Sequence, residues 1–222
     1  MGIVFGRTGV AEPAYDLLLT RSTRVPYEVR RYGKRFAVET QYRGDEDSGK
    51  SFMRLAKYIG VSSAPQNDGG MPISMTAPVS TNVDASSVEG KTIAMTAPVI
   101  MDQQSSCMQF ILPAKYDDIS KIPKPLNPDV RISEVPGAVG AVYKFSGWVK
   151  QEQAVDKVKN LSEQLNEDGI AITADEAQKK SLLWQFHPPF TLPFFRRNEV
   201  WIELTENQVK KLLEKFKPSS SA

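Results

Sequence analysis

Tyr27-Glu28-Val29-Arg30-Arg31-Tyr32, followed across a glycine-containing connection by Phe36-Ala37-Val38-Glu39-Thr40-Gln41-Tyr42, reads as two successive strands. The pattern returns later in the chain. Sliding by 132 − 29 = 103 positions lays Val29, Ala37, Val38, Tyr42 and Gly44 on Ile132, Gly140, Ala141, Phe145 and Gly147. The second copy therefore predicts strands over Val130–Val135 and Val139–Phe145. Each pair leads into a helix. From Ser48 to Ile59, the residues Phe52, Leu55, Ala56 and Ile59 fall on one helical face and Gly60 is the stop signal. From about Lys150 to Asn166, Ala154, Val158, Leu161 and Leu165 do the same.

More strand follows each helix: a repeated Met-Thr-Ala-Pro-Val motif in the first half, then Leu182–Phe186 and Glu199–Leu204 in the second. The chain thus reads as α+β, with antiparallel hairpins and helices laid to one side. Two such strand-strand-helix-strand halves most economically share one sheet, curled into a distorted antiparallel β-barrel with the helices outside. A final helix is expected from about Glu206 to Phe216, capped by Thr205. One domain over residues 1–222 is the expectation, with pseudo-repeats at about 13–112 and 129–204 and a fraying tail at 217–222. The stretch Pro113–Pro128 carries four prolines and reads as a connector.

The pentapeptide occurs at Met75–Val79 and Met95–Val99, an offset of 95 − 75 = 20 residues, each copy preceded by an isoleucine, Ile73 or Ile93. That spacing suits two neighbouring β-segments joined by a loop. The proline in each copy requires the strand to stop, bend or lie at an edge there.

Composition excludes several classes. Lys and Arg number 28 against 26 Asp and Glu, so a net charge of +2 offers no field that argues for nucleic acid. No run approaches the roughly 18 apolar residues of a spanning helix. The beginning of the chain has neither a secretory nor a transit-peptide character, and the single cysteine, Cys107, rules out an intrachain disulfide. A cytoplasmic protein is the expectation. Cys107 lies in the apolar run Cys107–Leu112 and reads as a packing residue.

The common catalytic templates are absent: no nucleophile elbow, phosphate loop, dinucleotide fingerprint or zinc-protease motif. With one histidine and one cysteine, a histidine-rich metal site within the chain is impossible. Two regions attract notice instead. On the first helix Lys50, Met53, Arg54 and Lys57 share a second face at spacings of three and four, so cations flank a thioether beside the apolar stripe. A flat apolar ligand with acidic groups suits such a surface, although an ordinary solvated face has the same composition. The second region, Trp184–Asn198, holds five aromatic residues and the only histidine in a proline-stiffened loop that ends in Arg196-Arg197. Its aromatics either plug the core or line a cleft, and His187 is a candidate haem-iron ligand.

Taken together, Tyr27–Tyr32, Leu55-Ala56-Lys57-Tyr58-Ile59-Gly60, both Met-Thr-Ala-Pro-Val motifs, Phe110-Ile111-Leu112-Pro113, Phe145-Ser146-Gly147 and Arg196-Arg197-Asn198-Glu199-Val200 resemble the SOUL/haem-binding-protein family. The likeness is strongest to plant- and alga-type members with the doubled motif, and it extends from about residue 13 to 204. It implies a barrel of two related halves that binds haem or another tetrapyrrole in a shallow apolar cleft. The family cleft carries over to Phe52, Met53 and Lys57 on the helix and to Phe186 and His187 in the loop. Phe186-His187 stands where family members commonly have Tyr followed by Asn or Asp, which alters the axial chemistry on offer. Lys50, Arg54 or Lys57 would meet the propionates, with Arg196 as a further cation. The implied role is a soluble haem or porphyrin carrier or buffer, with a haem-metabolism protein as a candidate partner. A tetrapyrrole-modifying enzyme such as a metal dechelatase, or a ligand-free protein-interaction module, are the alternatives. For location, a plastid or eyespot association is the alternative to cytoplasm.

Overall fold

The computed structural model describes residues 10–42, 48–61, 63–83, 107–187 and 191–216. The second Met-Thr-Ala-Pro-Val copy, Pro188-Pro189-Phe190 and the tail from 217 lie outside the described residues. The elements run β1 (Tyr15–Arg21), β2 (Tyr27–Tyr32), β3 (Arg35–Gln41), α1 (Ser48–Ile59), β4 (Val79–Asn82), β5 (Cys107–Ile111), β6 (Val130–Val135), β7 (Ala138–Phe145), α2 (Gln151–Glu167), α3 (Ala174–Lys179), β8 (Ser181–Gln185), β9 (Asn198–Leu204) and α4 (Glu206–Phe216). The nine strands form one sheet in the order β1-β2-β7-β9-β8-β4-β5-β3-β6, antiparallel at every pairing. It is a strongly curled half-barrel, open between its edge strands β1 and β6.

The expected hairpins do not form. β2 and β3 are joined by Gly33-Lys34 alone, yet β2 pairs with β1 and β7 while β3 pairs with β5 and β6. A two-residue link ordinarily closes a hairpin. Here the equally short Pro136-Gly137 link of β6 and β7 packs against it, so close that a Cβ on Gly137 would stand 3.2 Å from the carbonyl oxygen of Tyr32. At this crossing each strand leaves its sequence neighbour and pairs with one from the other half. Exchanging β2, β3, β4, β5 for β6, β7, β8, β9 carries every pairing among these eight strands onto another, with β4–β8 mapping onto itself.

Alternation along the strands separates two faces. On the helix-bearing face Val29, Ala141, Val200 and Ile202 pack against Ala154, Val158, Leu161 and Leu165 of α2 and Val209 and Leu212 of α4. A second cluster joins Phe36, Val38, Phe110 and Val130 to Leu55, Tyr58 and Ile59 of α1. Burying each of the Val, Leu, Ile and Phe side chains among them contributes about 1.5–3 kcal/mol, which is why α1 and α2 hold their places. The connector Pro113–Pro128 is part of this packing rather than a free linker: Tyr116 and Ile122 are buried, and Tyr58 Oη donates to the Pro123 carbonyl at 2.7 Å.

The first Met-Thr-Ala-Pro-Val copy differs from expectation. Only Val79 belongs to a strand, and that strand is central, between β5 and β8. Pro78, lacking an N–H, stands just before β4 where no ladder bond is asked of it. Thr76 bridges in parallel to Ala11 and its hydroxyl bonds the Ile111 carbonyl, so the motif anchors the chain's first described residues to the end of β5.

The inner face of the curl is polar at its floor and aromatic above it. Arg30 of β2 and Glu199 of β9 are both fully buried and form a forked pair, Nη1 to Oε2 at 2.8 Å and Nη2 to Oε1 at 3.2 Å. Burial works against the charged guanidinium, but the bonds to Glu199 outweigh it and raise the Arg30 pKa above its ordinary value. Tyr32, Trp184 and Trp201 close over the pair, with the two indoles stacked at 5.2 Å. Gly140 is required beneath them, since a Cβ there would lie 2.5 Å from the Trp201 ring and from the Ile202 carbonyl oxygen. Among the described residues no helix is long and apolar enough to cross a membrane.

Arg30→Met leaves Glu199 ionised without its main partner and should cost about 3 kcal/mol, read as a lower urea midpoint at unchanged slope; Arg30→Met with Glu199→Leu should recover most of it. Asp168, at the C-terminal end of α2, accepts from Tyr27 Oη at 2.6 Å and from Arg21 Nε at 3.1 Å. Burial alone would raise its pKa, yet the bonds from Arg21 and Tyr27 hold it below the usual carboxylate value. The unfolded chain then binds a proton first as pH falls below about 4, so the Asp168 contribution is present at neutral pH and lost on acidification. Asp168→Asn should lower stability at pH 7 and flatten the dependence of the thermal midpoint on pH in that acid range.

Candidate functional site

α1 presents its two faces as its spacing dictates. Leu55, Ala56, Tyr58 and Ile59 are buried, while Lys50, Met53 and Lys57 are exposed and Arg54 is half-buried, 4.0 Å from Asp129. Ser51 is fixed by a bond to the Gln41 carbonyl at 2.7 Å, which sets the rotation of the helix on β3. Phe52 is half-buried and meets Phe110 of β5 edge-on at 5.2 Å. Across the sheet Phe110 pairs with Val79 of β4, and Val79 pairs with Gln185 of β8. Directly paired residues share a face. A line of residues therefore runs from Phe52 over Phe110 and Val79 to Gln185, and β5 lies two strand spacings or about 10 Å from β8, the strand that leads into His187.

The loop residues part company beyond Gln185. Phe186 continues the alternation of Leu182 and Trp184, enters the inner cluster and lies under the Arg197 guanidinium at 3.5 Å. His187 Nδ1 accepts the backbone N–H of Arg197 at 3.0 Å. An accepting Nδ1 places the proton of a neutral ring on Nε2, whereas a histidine that ligates iron through Nε2 carries that proton on Nδ1 and donates it. In this geometry such a proton would point at another N–H. The observed role of His187 is to tie the end of β8 to the approach to β9.

Arg196 is likewise engaged within the fold. It is buried, its Nε donates to the Thr191 carbonyl at 3.0 Å, its guanidinium lies 3.6 Å over the Trp148 ring, and burial lowers its pKa. Asn198 fixes the turn by donating to the Gly147 carbonyl at 2.9 Å. The loop's aromatics divide between the two roles open to them. Trp184 and Phe186 are inside, whereas Phe194 is 66% exposed and stands beside Phe195 at the surface.

A larger space opens away from both of these regions. At the mouth of the curl, the start of β1, the β2–β3 link and the segment after β5 enclose a groove of about 630 Å³, lined in part by Tyr15, Phe36, Leu112 and Tyr116. That volume is in the range of small-molecule sites. Arg35 lines it and also lines a smaller cavity of about 30 Å³ that reaches inward to Tyr32 and Trp184. A lone cation within an alternating strand looks like a surface residue, so Arg35 was invisible to motif reading. Cys107 meets the packing expectation: burial, then the nearby Glu39 carboxylate, push its thiol up to about 11, away from thiolate chemistry. No group of three or more His, Cys, Asp or Glu side chains able to hold a metal ion occurs among the described residues.

Comparison with known proteins agrees with this architecture. The human protein Heme-binding protein 2 is 28% identical over 181 residues, covering 79% of this chain and 77% of its own length. A solved structure described as a hydrolase encoded by lin2189 from Listeria innocua superposes with a TM-score of 0.50 at 13% identity, over 81% of this chain and 91% of that one, a likeness of fold alone. The family model described as SOUL heme-binding protein matches residues 10–203. That match spans all nine strands save the last residue of β9, together with α1, α2 and α3, and on it the chain belongs to the SOUL heme-binding protein family.

Proposed function

We propose that this protein binds haem or a related tetrapyrrole reversibly and acts as a carrier or buffer of it. The observation that carries the reading is membership of the SOUL heme-binding protein family over residues 10–203. The outer surface supports it. Met53 is exposed between Lys50 and Lys57 on α1, and the strip through Phe52, Phe110 and Val79 leads from there toward the β8–β9 loop. A macrocycle would lie over Met53 and the half-buried Phe52 and Val79, with the buried Phe110 as their support, while Lys50, Lys57 and Arg54 reach its propionates through charge-assisted bonds. The engagement of His187 Nδ1 and of Arg196 favours a mode in which neither residue is essential: iron is left to other ligands or to none from the protein, and propionates to α1.

Titration of the purified protein with haem and with metal-free protoporphyrin, followed by absorbance, tests the reading. Both should bind with a shifted Soret band, and the spectrum should return to the starting pigment after extraction. An enzyme that removes or exchanges the metal would instead accumulate a new chromophore. His187→Ala should keep haem affinity within about threefold, whereas an axial ligand would cost far more. Arg54→Ala with Lys57→Ala should weaken the free-acid porphyrin by about 3- to 10-fold and its dimethyl ester scarcely at all, given the modest worth of exposed charge pairs. Unchanged spectra on adding pigment would refute the binding itself; equal losses for acid and ester would refute the role given to α1.

A further inference from the structure

We propose that the mouth of the curled sheet is a second binding site, taking an apolar molecule that carries one carboxylate, with Arg35 as the anchor for that carboxylate. The groove there has walls of one character and a charge of another. Tyr15, Phe36, Leu112 and Tyr116 supply apolar and aromatic surface. Charged side chains also reach it, and their pairings decide the chemistry. Arg31 is bonded to Glu206 at 2.6 Å and Lys34 lies 3.6 Å from Glu134. On the acidic side Glu12 pairs with Arg197, Asp117 pairs with Lys121 at 2.7 Å, and Asp16 is exposed to solvent. Arg35 differs from all of these.

It is half-buried, and among the described residues no carboxylate pairs with it. Its only hydrogen bond there runs from Nη1 to the Gly33 carbonyl at 3.2 Å, and its guanidinium stands 5.0 Å from the centre of the Tyr32 ring. Burial accordingly lowers its pKa. A guanidinium offers five N–H donors, and the Nε–Nη2 edge is the one that grips a carboxylate in a fork. That edge is unused here, on a cation that the groove has partly stripped of water. Desolvated charge is costly without an opposite charge, and a ligand carboxylate would supply it while the ligand's apolar body covers the aromatic walls. The inner cavity beyond Arg35 is too small for more than a substituent, so the body of the ligand lies outward along Tyr15 and Tyr116.

The site is separate from the outer strip on α1 and does not depend on tetrapyrrole binding. 1-Pyrenebutanoate, with neutral 1-pyrenebutanol as its comparator, tests it by fluorescence titration of the full chain. The acid should bind the unaltered protein more tightly than the alcohol. Arg35→Met should weaken the acid about tenfold and the alcohol less than about twofold, the difference expected on losing a forked charge-assisted pair. Arg35→Lys keeps the charge without the fork and should fall between; it serves as the test if the methionine variant does not fold. Arg54→Ala with Lys57→Ala should leave the acid affinity unchanged. The proposal is overturned by equal binding of acid and alcohol, by no binding of either, by unchanged acid affinity in both Arg35 variants, or by an equal loss in the α1 variant.

Discussion

The buried fork between Arg30 and Glu199 is the constraint around which the inner face is organised. Two charges withdrawn from water are tolerable only when each satisfies the other and the remaining donors find partners. Arg30 Nε turns to Glu28 at 2.7 Å and Nη1 also reaches Tyr32 Oη at 3.1 Å, while Glu199 has Arg197 Nε at 3.5 Å as a second cation. From there the chain of charges continues outward, since Lys144 holds Glu28 and Arg197 holds Glu12. The network thereby links β2, β7, β9, the β8–β9 loop and the first described residues. It also fixes which face of the sheet curls inward. Arg30 and Glu199 have no outlet toward α2, since that side of the same strands is packed with Val29, Val200 and Ile202.

This division of faces bears on function. The helix-bearing side is filled by two apolar clusters, so a ligand on that side must lie over their outer surface rather than within them. The inner side is filled by Tyr32, Trp184, Trp201 and the ion network, and a groove opens at the mouth beside them. The cations follow the same logic. Arg196 and Arg197 are drawn into aromatic and ionic contacts that shape the loop, whereas Lys50 and Lys57 of α1 stay exposed. A pair of adjacent arginines in sequence says little about this, because what withdraws them is chiefly Trp148, Phe186 and Glu12, well separated from them along the chain, with Glu199 two residues on as a further partner of Arg197.

How much was legible in the sequence depended on whether the cause was local. The helix over Ser48–Ile59 and the strands Tyr27–Tyr32 and Val130–Val135 came out at the boundaries their periodicity gives, because amphipathic spacing is written in the element itself. The curled antiparallel sheet with outer helices was likewise readable. β1 was missed, since Tyr15 and Leu17 stay exposed on an edge and the strand carries a register shift between Leu17 and Leu19. α3 was missed because six residues with one buried alanine, Ala177, leave no periodic trace. The hairpin expectation failed for a tertiary reason: the crossing of two short links sends β2 to β7 and β3 to β6. At the candidate site, the exposure of Lys50, Met53 and Lys57 followed from helical spacing. The engagement of His187 Nδ1 did not, because its partner is a backbone N–H ten residues on.

The crossing also explains why a groove exists at this mouth. Two cross-strand pairs flank it in equivalent places, Tyr32 with Ala138 at the end of β2 and start of β7, and Arg35 with Val135 at the start of β3 and end of β6. The 103-residue slide sends Tyr32 to Val135 and Arg35 to Ala138, since 135 − 32 and 138 − 35 are both 103, so it exchanges the two pairs. Their side chains break that equivalence. Tyr32 lies edge-on to Trp184 and Trp201, and Ala138 is small enough to settle beside it, so the space between is closed. Arg35 is too long and too charged to join an aromatic cluster that already holds its own guanidinium in Arg30, and Val135 offers it no acceptor. It is held instead at the boundary between cluster and solvent, and the groove is the volume that its neighbours cannot fill without burying an unmatched charge.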